Sequence, residues 1–332
     1  MNKIIIILGQ TSTGKSDFAV QIAKEINGEI ISADSRQVYK GMDLGTGKIT
    51  KKEMKKIPHH LLDVVSPSRV FSVSDFKKQA EKKIKEIINK PSHPHKGAGG
   101  NKIPIICGGT GFYIDAVTNN TIFPEVPPNK KLRIILDKKT TEQLFEILKQ
   151  LDTDRAKNID NKNRVRLIRA IEIAKTLGKV PLLNYSYKSS SIKFGTNSAG
   201  AEFVPNSQNQ NIKFEFLKIG LTLSPEILKE RIKTRLLARI KKGMIKEVEN
   251  LHKQGVSWKR MNDLGLEYRY VSLYLQNKIN KNEMVEKLNT KIWHYAKRQK
   301  TWFKRDQSII WIDPTKNKDK TLIIKKVQNF LK

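Results

Sequence analysis

The sequence predicts an α/β fold, in which a parallel sheet is flanked by helices and a helical subdomain is inserted between two parts of the core. Three observations lead to this fold class. Residues 1–118 alternate strand-like and helix-like stretches, the pattern of parallel strands joined by right-handed crossovers. A glycine-rich motif that binds phosphate directly follows the first strand. Over residues 119–187 the strand-like runs stop and helical periodicity takes over.

Each element of the first part follows from a local pattern. Ile4–Leu8 is all apolar, as expected of a strand that is buried on both faces of a sheet. Ser16–Ile26 has its apolar residues at helical spacing and predicts an amphipathic helix. A strand, a lysine-rich helix and another strand follow at Glu29–Ser32, Phe76–Ile88 and Ile103–Cys107. Because parallel strands end at one edge of a sheet, one site should collect the loops 9–16, 34–39 and 108–113.

Changes in composition divide the chain into three parts. Residues 1–123 are predicted to form the first part of the core and residues 213–332 the second. Between them, residues 124–212 are predicted to be a helical insert. The insert ends in a stretch rich in Ser, Asn and Gly, residues 188–212, which we expect to be a flexible loop. Residues 91–101 have similar low complexity and predict a second loop.

The second part of the core begins and ends with strand patterns. Phe214–Leu223 predicts a strand, and one long basic helix is predicted from Pro225 to about His252. On that helix three arginines recur at every fourth position, which places them on one face: Arg231, Arg235 and Arg239. The last predicted strand is Ile309–Ile312.

Residues 9–16 read Gly-Gln-Thr-Ser-Thr-Gly-Lys-Ser and match the phosphate-binding P-loop pattern G-x-x-x-x-G-K-S. The glycines let backbone N–H groups surround an anion, and the helix that follows directs its positive end toward it. Lys15 adds a point charge, and Ser16 can offer its hydroxyl to Mg²⁺, the cofactor that we expect here. The fold is therefore P-loop NTPase-like, and the chain should bind a di- or triphosphate through Gly9, Thr11, Ser12, Thr13, Gly14, Lys15 and Ser16.

The charge of the chain points to a polyanionic partner. Its 64 Lys and Arg residues outnumber 32 Asp and Glu residues, which gives a formal net charge of +32. The excess is spread along the whole chain, and nucleic acid is the polyanion that explains it most simply. A general bias in composition toward lysine is the alternative explanation.

The single cysteine and the short apolar runs bear on the cellular location. Cys107 lies in a predicted strand, where it is expected to be a small buried apolar residue. One cysteine allows no disulfide within the chain, which fits a reducing cytoplasm. Ile4–Leu8 is too short for a signal-peptide core or a membrane span, so no membrane association is expected.

Ordered motifs show a resemblance to one family. In the first half they are Asp34-Ser35-Arg36-Gln37-Val38-Tyr39, Gly45-Thr46-Gly47-Lys48, Pro58-His59-His60-Leu61-Leu62-Asp63, Phe71-Ser72-Val73-Ser74-Asp75-Phe76 and Gly108-Gly109-Thr110-Gly111-Phe112-Tyr113. Further along they are Asn163-Arg164-Val165-Arg166 with Arg169-Ala170-Ile171-Glu172, Gly265-Leu266-Glu267-Tyr268-Arg269, and Tyr295-Ala296-Lys297-Arg298-Gln299 with Thr301-Trp302-Phe303. Together with the P-loop, this set resembles the tRNA dimethylallyltransferase (tRNA isopentenyltransferase) family over roughly residues 3–312.

The resemblance implies a reaction and roles for individual residues. The family transfers a dimethylallyl group from dimethylallyl diphosphate to the N6 amine of adenosine 37, in the anticodon stem-loop of tRNA, and releases diphosphate. By resemblance, Asp34 is the general base, which fits the need of a poorly nucleophilic amine for a proton acceptor. Thr110 should bond the bridging oxygen of the departing diphosphate, although a helix N-cap is its simpler role. Arg235 should lie nearest the diphosphate.

The resemblance also implies where tRNA binds. Three residues should line the extruded adenine: Ser35, Arg36 and Gln37. In the insert, contacts to tRNA are expected from Arg133, Asn163, Arg164, Val165, Arg166, Leu167 and Arg169. Lys162, Arg166 and Arg169 should form a basic stripe opposite Val165, Ile168 and Ile171. A monomeric, cytoplasmic enzyme is expected.

Three other functions fit part of the pattern. An adenylate isopentenyltransferase would prenylate free AMP or ADP with the same P-loop and aspartate, whereas the insert and the net charge of +32 favour tRNA as acceptor. A small-molecule kinase would bind ATP in the same loop. A non-catalytic RNA-binding module would have no use for an intact P-loop with Asp34 and Thr110. One departure from the family is Gln10, where proline is common in the P-loop.

Overall fold

The computed structural model describes residues 2–90, 102–181, 191–193 and 213–332. The chain forms two compact units, one from Met1–Asn120 with Ser186–Lys332 and the other from Thr121–Tyr185. The predicted boundaries at residues 123 and 212 remain predictions. The loops expected at 91–101 and 188–212 lie outside the described residues, apart from residues 191–193.

Within the described ranges, one sheet of seven strands organises the larger unit. The strands are β1 (Asn2–Gly9), β2 (Gly28–Ser32), β3 (His59–His60), β4 (Ile103–Gly108), β5 (Ser191–Lys193), β6 (Lys213–Leu221) and β7 (Ile310–Ile312). Their order is β3-β2-β4-β1-β6-β5, and β7 also pairs with β6. Six strands run parallel and β5 runs antiparallel to β6. This confirms the predicted parallel sheet flanked by helices.

Fourteen helices are present in the described residues. In the larger unit they are α1 (Lys15–Glu25), α2 (Lys51–Met54), α3 (Val73–Ile88), α4 (Gly111–Thr118), α9 (Pro225–Lys241), α10 (Met244–Lys253), α11 (Trp258–Leu264), α12 (Leu266–Leu275), α13 (Lys281–Phe303) and α14 (Asn317–Leu331). The smaller unit contains α5 (Lys130–Leu136), α6 (Thr141–Leu151), α7 (Thr153–Lys157) and α8 (Arg164–Leu177). Within the described ranges, no helix is both long and apolar enough to cross a membrane.

The first strand is buried on both faces, which explains why it is apolar throughout. Ile4, Ile6 and Leu8 belong to a core cluster with residues of α3 and α4. Ile5 and Ile7 belong to a second cluster with residues of α1 and α14. Side chains alternate between the two faces of a strand, so one apolar run contributes to two cores.

Three features of the larger unit differ from the sequence prediction. Residues 191–193 form strand β5 within the stretch that is predicted to be a flexible loop. The long helix predicted from Pro225 to about His252 is two helices, α9 and α10. Gly243 separates them with φ +103°, a left-handed conformation that interrupts helical geometry. The two-residue strand β3 has no counterpart in the prediction, because so short a run carries no periodic signal.

Over the described residues 121–181 the smaller unit contains helices and no strand, and its first helix begins at Lys130. Its core is formed by residues of α5, α6, α7 and α8, among them Leu136, Leu144, Leu148 and Ile171. Helix α6 begins with a capping box, in which Thr140 accepts from the Gln143 N–H and the Gln143 side chain accepts from the Thr140 N–H. These helices agree with the helical periodicity seen in the sequence.

The first testable prediction concerns Gly108, where β4 ends against β2. A Cβ atom at this position would collide with the backbone of Ala33, which cannot move without disturbing the strand pair. Gly108→Ala should therefore lower the free energy of unfolding by about 3 kcal/mol or more. Gly243→Ala is the control, because its site is open and only left-handed strain of about 1–2 kcal/mol applies. Urea unfolding measures both, and equal losses would contradict this account of the strand ends.

Candidate active site at three strand ends

The P-loop follows β1 and is shaped by backbone conformations that favour glycine. Gly9 and Gly14 have φ of +139° and +89°. A side chain on Gly9 would collide with the carbonyl oxygen of Leu221 in β6. Inside the loop, the Thr13 hydroxyl donates to the Gln10 carbonyl over 2.8 Å. Gly14 occupies the N-cap of α1 without a capping side chain, so the first N–H groups of α1 are oriented toward an incoming anion.

Lys15 lies at the centre of this loop. Its ammonium donates to the Gln10 carbonyl over 2.5 Å. The pKa of Lys15 is lowered to about 8, mainly by burial and in part by the charge of Arg235, while Cys107 and Asp34 oppose the shift. Beneath the loop, burial raises the pKa of the Cys107 thiol to about 12, so this cysteine stays neutral and confirms the prediction of a buried apolar residue. An ammonium that is costly to charge would gain from an anionic ligand.

Asp34 and Thr110 are held together where β2 and β4 end. Thr110 Oγ1 accepts a hydrogen bond from the Ser35 N–H over 3.0 Å. Asp34 Oδ1 accepts from the N–H of Arg36 over 2.8 Å, which closes a turn. Among the described residues, none donates a hydrogen bond to Asp34 Oδ2. Thr110 occupies the N-cap position of α4, yet its side chain makes no capping bond there and is directed to Ser35 instead.

The arginine face of α9 lies along these loops. The Arg235 guanidinium donates to the Gly47 carbonyl over 2.9 Å. A Cβ atom on Gly14 would lie 4.0 Å from the Arg231 guanidinium, so Arg231 flanks the P-loop. Arg239 donates to the Gly45 carbonyl over 2.9 Å. The predicted arginine stripe therefore faces the P-loop and the Gly45–Gly47 loop.

Sequence reasoning gave Glu247 no role, although it anchors the Gly45–Gly47 loop. Its carboxylate accepts from the N–H groups of Asp43, Leu44 and Gly45 over 2.9, 2.7 and 2.9 Å. The Tyr268 hydroxyl donates to the same carboxylate over 2.8 Å. Glu247 thus fixes the loop whose carbonyls hold the arginines of α9.

Helix α13 contacts two of the three loops. The Gln299 amide accepts from the Thr11 N–H and donates to the Gly109 carbonyl, each over 2.8 Å. The Gln10 amide donates to the Ala296 carbonyl over 3.1 Å. Gln299 belongs to a motif that the sequence analysis recognised, but its contacts join residues hundreds of positions apart and left no signal in spacing.

The three residues expected at the adenine lie beside Asp34. The Ser35 N–H bonds Thr110, as described above. The Gln37 amide accepts from the Ser32 hydroxyl over 3.4 Å. The side chain of Arg36 lies against Gly265, where an added Cβ atom would be 3.8 Å from Arg36 Nε.

In the helical unit, most of the predicted tRNA-binding arginines have partners within that unit. Arg133 forms a two-bond pair with the buried carboxylate of Glu172, over 2.7 and 2.8 Å. Arg169 donates to Glu172 over 3.3 Å and to the Val126 carbonyl over 2.8 Å. Arg164 donates to the carbonyl oxygen of Leu136, the last residue of α5, and to that of Lys139 beyond it. These arginines stabilise the unit whether or not they also bind RNA.

The remaining predicted tRNA-binding residues lie at the start of α8, where some are exposed and one is buried. Asn163 caps the helix by accepting from the Arg166 N–H over 3.2 Å. The side chain of Arg166 is exposed, and Val165 is 78% exposed. The sequence analysis places Val165 on the same face as Ile168, opposite the basic stripe. In the structure Ile168 is buried and Val165 is not, so this placement of Val165 is wrong. The side chain of Leu167 is 0% exposed in the core of the unit, and the predicted contact of this residue with tRNA stays a prediction.

The chain is similar to known proteins of one family. The model of the IPP transferase family matches residues 37–306. The tRNA dimethylallyltransferase 2 of Treponema denticola is 43% identical over 302 residues, which cover 91% of either chain. The tRNA dimethylallyltransferase 1 of Syntrophus aciditrophicus is 37% identical over 320 residues, 94% of either chain.

Solved structures show the same fold. The crystal structure of a tRNA isopentenylpyrophosphate transferase from Bacillus halodurans matches with a TM-score of 0.68 and 29% identity, covering 100% of this chain and 97% of the other. A eukaryotic dimethylallyltransferase that acts on tRNA matches with a TM-score of 0.75 at 22% identity, covering 100% of this chain and 80% of the other. The latter likeness concerns the fold alone.

The low pKa of Lys15 predicts how anion binding depends on pH. Below pH 8 the ammonium is charged before binding, so the affinity for an alkyl diphosphate should be flat. Above pH 8 the protein must take up a proton to bind, and affinity should fall by up to about tenfold per pH unit. Lys15→Arg keeps its charge and should remove this fall. Calorimetric titrations from pH 7 to 9.5 test it, and an equal fall in both proteins would exclude Lys15 as the cause.

Proposed function

The chain belongs to the IPP transferase family, and from this premise we propose that it transfers a dimethylallyl group from dimethylallyl diphosphate to the N6 amine of adenosine 37 in tRNA. The bond between the allylic carbon and the diphosphate oxygen breaks, and a bond from that carbon to N6 forms. Diphosphate leaves, and the amine loses a proton. The proposal rests on one observation. The P-loop, Asp34 and Thr110 lie at the ends of adjacent strands.

Asp34 is the proposed general base. The amine lone pair is delocalised into the adenine ring, so removal of the proton during attack raises its reactivity. The turn with Arg36 fixes Oδ1, which supports a role for Oδ2 as the atom that receives the N6 proton. Ser35, Arg36 and Gln37 follow in the chain and would contact a base that has been taken out of its stack.

The departing diphosphate is the proposed ligand of the P-loop. Negative charge develops on the bridging oxygen, and donors that are already in place stabilise it without reorganisation. Thr110 Oγ1 accepts from Ser35 and keeps its own proton on a longer contact of 3.3 Å to Ser35 Oγ. That proton is proposed to turn to the bridging oxygen. Lys15, the P-loop N–H groups and Arg235 would bind the terminal oxygens.

Mg²⁺ is proposed to bind through Ser16. Within the described residues, no group of three or more His, Cys, Asp or Glu side chains could hold a metal ion. The Ser16 hydroxyl is exposed in the first turn of α1, and magnesium commonly takes one or two protein ligands together with substrate phosphates and waters. The donor set therefore fits such an ion. When bound, the ion would neutralise charge on the diphosphate.

The proposed acceptor is the anticodon stem-loop of tRNA. The net charge of +32 and the exposed Arg166 and Lys162 of the helical unit support a polyanionic partner. We further propose that the enzyme acts as a monomer in the cytoplasm.

The direct test is transfer of labelled dimethylallyl diphosphate to unmodified tRNA or to AMP. Label should enter tRNA alone, and nuclease digestion should recover it in the nucleoside at position 37. A tRNA with guanosine at that position is the matched control and should stay unlabelled. Labelling of AMP instead would favour the adenylate isopentenyltransferase reaction. Transfer of phosphate from ATP without prenyl transfer would favour a kinase.

Asp34→Asn should slow transfer by roughly 10²–10⁴-fold, which is the usual contribution of a positioned base. Asparagine keeps the turn with Arg36 but cannot accept the proton. Both substrates should still bind with near wild-type affinity. Single-turnover rates on preformed complexes test this, and an unchanged rate would remove Asp34 from the mechanism.

The exposed basic residues of the helical unit should contribute to the salt dependence of tRNA binding. Lys162→Ala with Arg166→Ala should lower the slope of log K against log salt by about one unit for each tRNA phosphate that the variant no longer binds. Arg169 is kept, since it holds the buried Glu172. Lys325→Ala with Lys326→Ala, exposed on α14, removes the same charge and is the control. Equal slopes in the two double mutants would contradict a specific role for α8.

A further inference from the structure

One side chain of α13 connects the two loops that the proposed reaction requires. Gln299 is 6% exposed. Its Oε1 accepts from the Thr11 N–H in the P-loop, and its Nε2 donates to the Gly109 carbonyl after β4, each over 2.8 Å. An amide carries an acceptor and a donor at fixed separation, so one side chain satisfies two backbone groups of opposite polarity.

The same stretch of α13 packs against both loops at further points. The Gln10 amide in the P-loop donates to the Ala296 carbonyl over 3.1 Å. The Trp302 indole lies so close to Gly111 that any side chain there would collide with it, and it donates to Asp115 Oδ2 over 2.9 Å. Residues 296–302 therefore contact the P-loop and the start of α4 within two helical turns.

Gly109 directly precedes Thr110, so a bond to its carbonyl restrains the position of the Thr110 hydroxyl relative to the P-loop. We propose that Gln299 is a positioning residue, which fixes the distance between the loop that binds the diphosphate and the hydroxyl that bonds its bridging oxygen. This inference rests on the proposed function of Thr110. A displacement of about 1 Å in such a pair can cost 10²-fold in rate. Within the P-loop the variant loses only the bond from the Thr11 N–H, so the affinity for the diphosphate should change little.

The test variant is Gln299→Met, which keeps the length of the side chain and removes both hydrogen bonds. The control is Gln276→Met at the C-cap of α12, where, among the described residues, the amide donates to the Ser272 carbonyl of that helix alone, over 3.0 Å. For Gln299→Met, kcat should fall by about 10- to 100-fold. The dissociation constants for dimethylallyl diphosphate and tRNA should change by less than about threefold, and Gln276→Met should keep wild-type values of all three.

Amide hydrogen exchange supplies a readout that does not depend on activity. Peptides that cover residues 9–16 and 108–112 should exchange faster in Gln299→Met than in the wild type and in Gln276→Met. Unchanged exchange would overturn the bridge itself. An unchanged kcat, or a fall of kcat matched by an equal loss of diphosphate affinity, would overturn the positioning role in favour of general loosening. A wild-type protein that transfers no dimethylallyl group would overturn the proposed function, while the exchange measurement would still decide whether the bridge restrains both loops.

Discussion

The close contact between the ends of β2 and β4 is the constraint on which the site depends. The Thr110 N–H donates to the Ala33 carbonyl over 3.2 Å, and the Ser35 N–H donates to Thr110 Oγ1 over 3.0 Å. Gly108 permits this approach, since any larger residue would collide with Ala33. The carboxylate of Asp34 and the hydroxyl of Thr110 are thereby held on neighbouring backbones, with β1 and the P-loop on the other side of β4. Parallel strands supply this convergence wherever their ends share one edge.

Around these loops, the residues that supply positive charge differ from the carboxylate that is proposed to accept a proton. Lys15 and Arg235 bring positive charge to the P-loop, and the low pKa of Lys15 reflects the cost of burying it without a counterion. Arg239 is neutralised in part by Glu267 over 3.1 Å. The Glu247 carboxylate accepts hydrogen bonds from backbone N–H groups, so it stabilises a loop and not a cation. The site is thus rich in positive charge around the P-loop, while Asp34 Oδ2 receives no hydrogen bond from the described residues.

How much of this was predictable depended on whether the signal was local. The P-loop and the parallel strands were predicted because residues within a few positions of each other determine them. The break at Gly243 was missed since apolar periodicity continues on both sides of it. Leu167 was assigned to tRNA by its neighbours in a motif, although its own face is buried. Gln299 contacts Thr11 and Gly109, and Glu247 contacts residues 43–45, so each pair joins residues 190 to 288 positions apart. No spacing in the sequence encodes such pairs.

A crystal structure with an unreactive thiolo analogue of dimethylallyl diphosphate and an anticodon stem-loop would test the central claim, that three strand-end loops form one reaction site. We expect the diphosphate on the N–H groups of residues 12–16 and the allylic carbon facing the adenosine 37 amine. We also expect Asp34 Oδ2 within about 3 Å of N6 and the Thr110 hydroxyl at the bridging atom. A diphosphate bound outside the P-loop, or an amine out of reach of Asp34, would contradict the account.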